Sequence, residues 1–260
     1  MILDKIVENK IEEVNFRKKI KPISELKKLI AQTKPLRKFS SSITKNPPSI
    51  IAEIKRHSPS RGSIWEDLDP AELAKRYEKS GASAVSVLTD KKYFHGSEED
   101  LINAKNAITL PCLRKEFIID EYQIYESLAI GADAILLIVR ILSSQQLKDY
   151  ISLARELKIE CLVEVHSEKE AETAIESGAN IIGVNNRDLD TLEVDVDTSF
   201  RIKKIIPTDC IAVSESGLNS PEIIRKLSDV GYSSFLIGES ILLSREPEKI
   251  IPLLLGRNNG

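Results

Sequence analysis

The chemistry-bearing residues of this 260-residue chain stand at the ends of short apolar runs. The first run, Ser49 to Ile54, leads into Glu53-Ile54-Lys55, where an acid and a base two positions apart share one face of a pleated strand. Lys115 ends the run that opens at Cys112, two residues before Phe117, and Glu164 ends the run that opens at Cys161. Asn185 and Arg187 close a further run, and two more finish in Ser214-Glu215-Ser216-Gly217 and Gly238-Glu239-Ser240. One charged residue at a strand end is an ordinary solvated rim group, but several on alternate strands form a cluster. Burying a lysine or glutamate without a partner is costly or shifts its pKa, so opposed pairs of this kind suit proton transfer. The small residues of the last two runs leave backbone amides open to an anion. Together they point to a sugar phosphate.

Two ladders show which elements must position these residues. Cys112, Cys161 and Cys210 are 49 residues apart, and each opens a strand-like run. Out of phase with them, Gly81, Gly131, Gly178 and Gly231 each end a helical pattern as a C-cap and precede a new apolar run. The ladders count eight strands, near residues 49–54, 83–88, 110–115, 134–139, 160–165, 180–185, 210–214 and 233–238. Asp69, Asp120, Ser167 and Ser220 supply N-caps to helices between them. Eight βα units predict a (β/α)8 TIM barrel over residues 46–260, preceded by a helical extension over residues 1–45. No Gly-x-Gly-x-x-Gly follows the first strand, which weakens a dinucleotide-binding sheet. In such a barrel the strand C-termini carry the site, so Lys115 and Glu164 point inward, and Cys112 and Cys161, three residues earlier, point outward beneath the helices.

Composition narrows the function classes. With 42% apolar and 30% charged residues the chain is neither disordered nor dependent on disulfides. A balance of 37 basic to 40 acidic residues leaves no global positive field and argues against nucleic acid as partner. The longest apolar run, Ala134 to Val139, is far short of the roughly 20 residues of a membrane span. No secretory segment is visible at the start, so the expected setting is the cytoplasm, for a monomer with no membrane partner. Three cysteines without nearby histidines make neither a zinc site nor a disulfide frame, and no metal is expected. The first 45 residues hold 12 basic and 5 acidic side chains, a net +7 set against an acidic barrel. Leu3, Ile6, Val7, the stem of Lys10, Ile11 and Val14 recur at helical spacing, which predicts a helix docked over one barrel end. Aromatics for stacking bases are nearly absent there. If that end is the active face, the basic arm helps to hold an anionic substrate.

The segment Ile50-Ile51-Ala52-Glu53-Ile54-Lys55-Arg56-His57-Ser58-Pro59-Ser60-Arg61-Gly62 resembles the signature of the indole-3-glycerol-phosphate synthase family. The resemblance runs through Ser86 to Asp90, Leu113 to Ile118, Leu162 to His166, Gly183 to Leu189, Ser214 to Gly217 and Phe235 to Gly238, and includes the leading helix. It implies a decarboxylating ring closure that converts 1-(2-carboxyphenylamino)-1-deoxyribulose 5-phosphate to indole-3-glycerol phosphate, carbon dioxide and water, with no cofactor. It also implies Lys115 as general acid, Glu164 as base for the dehydration, and Lys55 with Glu53 as steadying charges. Asn185 and Arg187 match substrate-binding positions, and Ser58 contacts substrate as its loop closes. Phe94, Phe117, Leu88, Leu136 and Leu236 match an apolar lining for the aromatic ring. Ser216, Gly217, Gly238 and Glu239 match the phosphate site, Glu239 through its backbone amide. His57 has no matching role and reads as a loop residue. The rival reading is a phosphoribosylanthranilate-type sugar-phosphate isomerase on the same barrel. Such enzymes typically place Cys or Asp after strand one, where this chain has Glu-Ile-Lys.

Overall fold

Period-two alternation divides each strand between two apolar layers, as a parallel sheet covered on both faces requires. The computed structural model describes residues 2–257. Its parallel strands are β1 (Ser49–Ile54), β2 (Ala84–Leu88), β3 (Cys112–Lys115), β4 (Ala134–Ile138), β5 (Glu160–Val165), β6 (Ile181–Asn185), β7 (Ile211–Glu215) and β8 (Ser234–Ile237). They pair in consecutive order, with β8 returning to β1. β3 begins two residues later than its apolar run because Pro111 has no N–H to donate to the ladder. Inside, Ile51, Ala84, Leu113, Leu162, Ile181, Val213 and Leu236 pack together. Outside, Ile50, Val85, Cys112, Ile135, Val163 and Ile182 pack beneath the helices, and Cys161 and Cys210 lie half-buried against that outer layer.

The helix boundaries follow local chemistry. Asp69, Asp120, Ser167 and Ser220 each accept a hydrogen bond from a first-turn amide. Gly81, Gly131, Gly178 and Gly231 adopt φ between 85° and 103°, where a side chain would be strained.

Three helices precede β1: α1 (Ile2–Ile20), α2 (Ile23–Ile30) and α3 (Phe39–Thr44). Phe39 and Ile43 of α3 are buried against the inner layer, and Ser234 Oγ at the start of β8 donates to the Ile43 carbonyl at 2.7 Å. So α3 plugs the N-terminal end of the barrel. At the opposite end, Leu3 and Ile6 of α1 pack with Phe117 and Leu136. Lys10, Arg17 and Lys18 of α1 are engaged in ion pairs with the barrel. Lys10 Nζ lies 2.9 Å from Asp90 and 3.0 Å from Glu116, Arg17 3.0 Å from Glu126, and Lys18 2.6 Å from Asp120. This corrects the expectation that the arm's charge helps to hold an anionic substrate. Those three charges fasten α1 to the barrel, and the helix lines the mouth with apolar Ile2, Leu3 and Ile6 rather than with a cation. Among the described residues no helix is long and apolar enough to cross a membrane.

Candidate active site

A cavity of about 700 Å³ opens at the C-terminal ends of the strands. Glu53, Lys55, Ser58, Phe94, Lys115, Phe117, Leu136, Glu164, Asn185, Arg187, Ser216, Gly217, Leu236, Gly238 and Glu239 all line it, as does Leu88. At its floor Lys115 Nζ lies 2.6 Å from Glu215 Oε2, 3.6 Å from Glu164 Oε2 and 3.9 Å from Glu53 Oε2. Lys55 is ion-paired with Glu53. Three carboxylates thus face two ammonium groups out of bulk water.

Their protonation follows from that crowding. Burial opposes charge on Lys115, but Glu215, Glu164 and Glu53 outweigh it and hold the ammonium above the usual lysine pKa. Burial likewise opposes ionisation of Glu164, yet Lys115 and His166 bring its carboxyl down to about 2. Glu53 is lowered against burial by Lys55 and Lys115. Glu215 goes the other way. Burial, together with the charges of Glu164 and Glu53, exceeds the help from Lys115 and pushes it up to about 7. The cavity floor therefore holds a firm acid-side cation, two firm carboxylates and one carboxyl that exchanges its proton near neutrality.

Alternation and close packing aim these groups. On either side of inward-facing Lys115, Arg114 turns outward to Glu126 at 2.9 Å and Ser127 at 3.0 Å. Glu116 accepts from Thr89 Oγ1 at 3.0 Å and from the Phe117 amide at 2.8 Å. Tyr77 Oη donates to the Glu53 carbonyl at 2.8 Å and fixes the end of β1. Two glycines on the inner wall leave room for carboxylates. A Cβ on Gly183 would stand 2.3 Å from Glu215 Oε1, and one on Gly238 would stand 2.4 Å from Glu53 Oε1. Asn185 points inward and accepts the Arg187 amide at 3.0 Å. Asn186 turns outward and ties β6 to the end of β7 through Ser214 Oγ and the Ser216 carbonyl.

The far wall differs in character. Ser216 and Gly217 both have positive φ, 68° and 75°, so the chain turns sharply after β7. Strain of this kind in a non-glycine residue accumulates at functional sites. Glu239 was expected to act through its amide alone. Its carboxylate also accepts from Arg61 Nη1 at 3.0 Å and Arg187 Nη2 at 3.4 Å, which joins the loops after β1 and β6. Ser58 lies in a short hairpin, His57–Ser58 against Gly62–Ser63. The His57 ring stacks on His95 at 4.4 Å and its Nδ1 is 2.8 Å from the Tyr93 carbonyl, so this loop residue fastens its loop to the one after β2. Phe94 and Phe117 meet at 5.9 Å as an aromatic wall.

One residue of the site is missed in the sequence, and the part played by α1 is legible there only in outline. Glu215, the nearest partner of Lys115, sits in a Ser-Glu-Ser-Gly run read only for its backbone amides. The signal was available in the alternation Ile211, Val213, Glu215, which aims the acid inward. The helix over one barrel end is predicted from its periodicity, but not that its apolar residues Ile2, Leu3 and Ile6 rather than its charges meet the cavity. Among the described residues no group of three or more His, Cys, Asp or Glu side chains is placed to hold a metal ion.

The model of the indole-3-glycerol phosphate synthase family matches residues 3–254. The indole-3-glycerol phosphate synthase of Caldanaerobacter subterraneus subsp. tengcongensis is 49% identical over 242 residues, 93% of each chain. That of Chlorobium chlorochromatii is 46% identical over 253 residues, 96% of this chain and 98% of the relative. Among solved structures, an N-acetylmannosamine-6-phosphate 2-epimerase from Clostridium perfringens superposes with a TM-score of 0.61 at 13% identity, covering 82% of this chain and 95% of that one. A thiamine phosphate pyrophosphorylase from Pyrococcus furiosus superposes with 0.60 at 13% identity, covering 79% and 93%. These two likenesses speak to the barrel alone.

Proposed function

The chain belongs to the indole-3-glycerol phosphate synthase family, and from that premise we propose how its barrel mouth performs the family's reaction. The reaction is a decarboxylating ring closure in tryptophan biosynthesis. It takes 1-(2-carboxyphenylamino)-1-deoxyribulose 5-phosphate to indole-3-glycerol phosphate, carbon dioxide and water. The isomerase alternative is not favoured, because the family matched along residues 3–254 is the synthase.

The observation that carries the assignment of roles is Lys115 Nζ set among Glu215, Glu164 and Glu53 beneath an apolar roof. Phe94, Phe117, Leu88, Leu136 and Leu236 receive the anthranilate ring, while the turns at Ser216-Gly217 and Gly238-Glu239 receive the phosphate. The ring carbon bearing the carboxylate attacks the ribulose carbonyl carbon, and the carbonyl electron pair takes a proton from Lys115. A substrate oxygen that takes the place of Glu215 removes the carboxylate holding that proton, so the ammonium becomes a stronger acid once substrate is bound. Carbon dioxide then leaves, its bonding electrons restoring the aromatic ring. The new hydroxyl takes a second proton from Lys115, once that lysine has been reprotonated, and departs as water, while Glu164 accepts the proton lost from the methylene carbon next to the nitrogen, whose C–H electrons form the second double bond of the five-membered ring. Lys55, held by Glu53, steadies the anionic intermediate, and Glu215, near pKa 7, returns protons to Lys115. Asn185 and Arg187 orient the substrate, the guanidinium suiting a carboxylate or phosphate oxygen. Ser58 contacts it as its loop closes and excludes water. A monomeric, cytoplasmic enzyme is part of the same reading.

The test is direct. The carboxyphenylamino-deoxyribulose phosphate is mixed with the purified protein and indole fluorescence is followed. Growth of the signal supports the reading; silence from folded protein overturns it.

A further inference from the structure

His166 has no part in the steps above, yet it is one of the most enclosed polar side chains beside the cavity. It follows Val165 at the end of β5, and its side chain is 2% exposed. Its ring stands between two carboxylates: Nε2 is 3.3 Å from Glu164 Oε1 and Nδ1 is 3.3 Å from Glu170 Oε2. Glu170, on the helix Glu168–Glu176, also accepts the His166 backbone amide at 2.7 Å. Glu170 is held in turn by Arg140 Nε at 3.1 Å, and Arg140 Nη1 lies 3.6 Å from both Asp188 and Asp190. Nδ1 is hydrogen-bonded to Glu170, and Nε2 faces Glu164 at ion-pair distance without an aligned hydrogen bond, so the ring is anchored from the helix side and turns its buried second nitrogen on Glu164.

That grip matters because of what happens to Glu164 during turnover, on the reading proposed above. In the free site Lys115, 3.6 Å away, is the chief compensation for a carboxylate only 3% exposed. When Lys115 swings to the substrate oxygen, Glu164 would be left facing the carboxylates of Glu53 and Glu215. A buried carboxylate without a cation takes up a proton or moves. We propose that His166 is a positioning residue, holding Glu164 aimed into the mouth while Lys115 is engaged with substrate. The charged groups facing it are Glu164 from its own strand and Glu170 from the following helix, with Arg140 behind Glu170. Only the imidazolium presents an N–H and a positive charge toward both carboxylates at once, since the neutral ring has one N–H. Burial disfavours that cation, but the two carboxylates outweigh it and raise the ring's pKa to about 9.

The experiment measures kcat and KM between roughly pH 6 and pH 10 for wild type, His166→Gln and His166→Ala. His166→Ala is expected to lower kcat about tenfold with KM within about twofold, the pattern of a group that serves the chemical steps. His166→Gln, which keeps one neutral donor near Nε2, recovers part of the loss. Wild-type kcat should decline above about pH 9, as the ring loses its second proton, and the decline should be absent in His166→Gln. Unchanged kcat in both variants, a loss confined to KM, or a persisting alkaline decline in His166→Gln would overturn the proposal. Should His166→Ala fail to fold, the Gln variant decides. A folded wild type that turns nothing over defeats the functional reading instead. The clamp is then judged from the NMR signal of the imidazole, which should titrate near 9 and fall in Glu170→Gln. An ordinary value near 6.5 removes the clamp.

Discussion

Lys115 and Glu215 show how two residues of ordinary type acquire unusual acidity from placement. Their side chains meet at 2.6 Å, 100 positions apart in sequence. Each is pulled away from its usual pKa, the lysine upward by three carboxylates in spite of burial and the glutamate upward by burial with two like charges nearby. Lys115→Ala removes the proton donor and leaves Glu164 and Glu215 facing one another. Turnover should fall on the order of 10²-fold or more, which is what loss of a general acid costs. Initial rates followed by indole fluorescence check this, and a near-normal rate would remove Lys115 from the acid role. Arg114 and Glu116 flank the lysine and were equally plain in the sequence, but Arg114 turns outward to Glu126 beneath the helices, and Glu116, just past the strand end at the rim of the mouth, is taken up by Lys10 of α1. Charge alone does not mark the reacting residue; strand parity and the partner each charge already holds do.

At the scale of elements, what could be read in advance was whatever is written locally. Alternation, cap residues and the glycines at 81, 131, 178 and 231 depend on neighbours within a few positions, so strands and helix ends emerged from the sequence close to their structural limits. Glu215 did not emerge as a site residue, because its meaning depends on barrel closure bringing β7 across from β3. The same is true of Lys10. At helical spacing its stem reads as one more apolar position, while in the fold its Nζ is enclosed by Glu13, Asp90 and Glu116. Asp90 and Glu116 belong to the loops after β2 and β3, so one buried cation fastens α1 across two neighbouring strand ends. Lys10→Ala strands both carboxylates at almost complete burial and should cost about 3 kcal/mol, the usual penalty for breaking a buried ion pair from one side. Urea denaturation measures this directly. A change below about 1 kcal/mol would mean that the roof helix is held by its apolar face alone.

Over the whole molecule, the charged groups of the mouth make stability depend on pH in a way that sets the site against the fold. Glu53, Glu116 and Glu164 have carboxyls lowered below 4.5 in the folded chain. Their contribution is therefore present above 4.5 and is lost as pH falls, for Glu164 toward about 2. His166 is raised from 6.5 to about 9, so its contribution is present below 6.5 and is lost as pH climbs through 9. Glu215, raised from 4.5 to about 7, favours the folded state only while protonated, and that advantage disappears between those values. The fold should thus be most stable between about 4.5 and 6.5, whereas the proton traffic assigned to Glu215 operates near 7. At pH 8 the ionised Glu215 is a buried charge the fold tolerates for the sake of the chemistry, as active sites commonly do. Glu215→Gln keeps the shape and removes the charge. Urea unfolding should show the variant more stable than wild type at pH 8, by on the order of 2 kcal/mol. The gap should close toward pH 4.5, where wild-type Glu215 is protonated in both states, while turnover stays depressed throughout. A variant no more stable than wild type at pH 8 would show that the 2.6 Å bond to Lys115 outweighs the burial of Glu215, and that the site imposes no such strain.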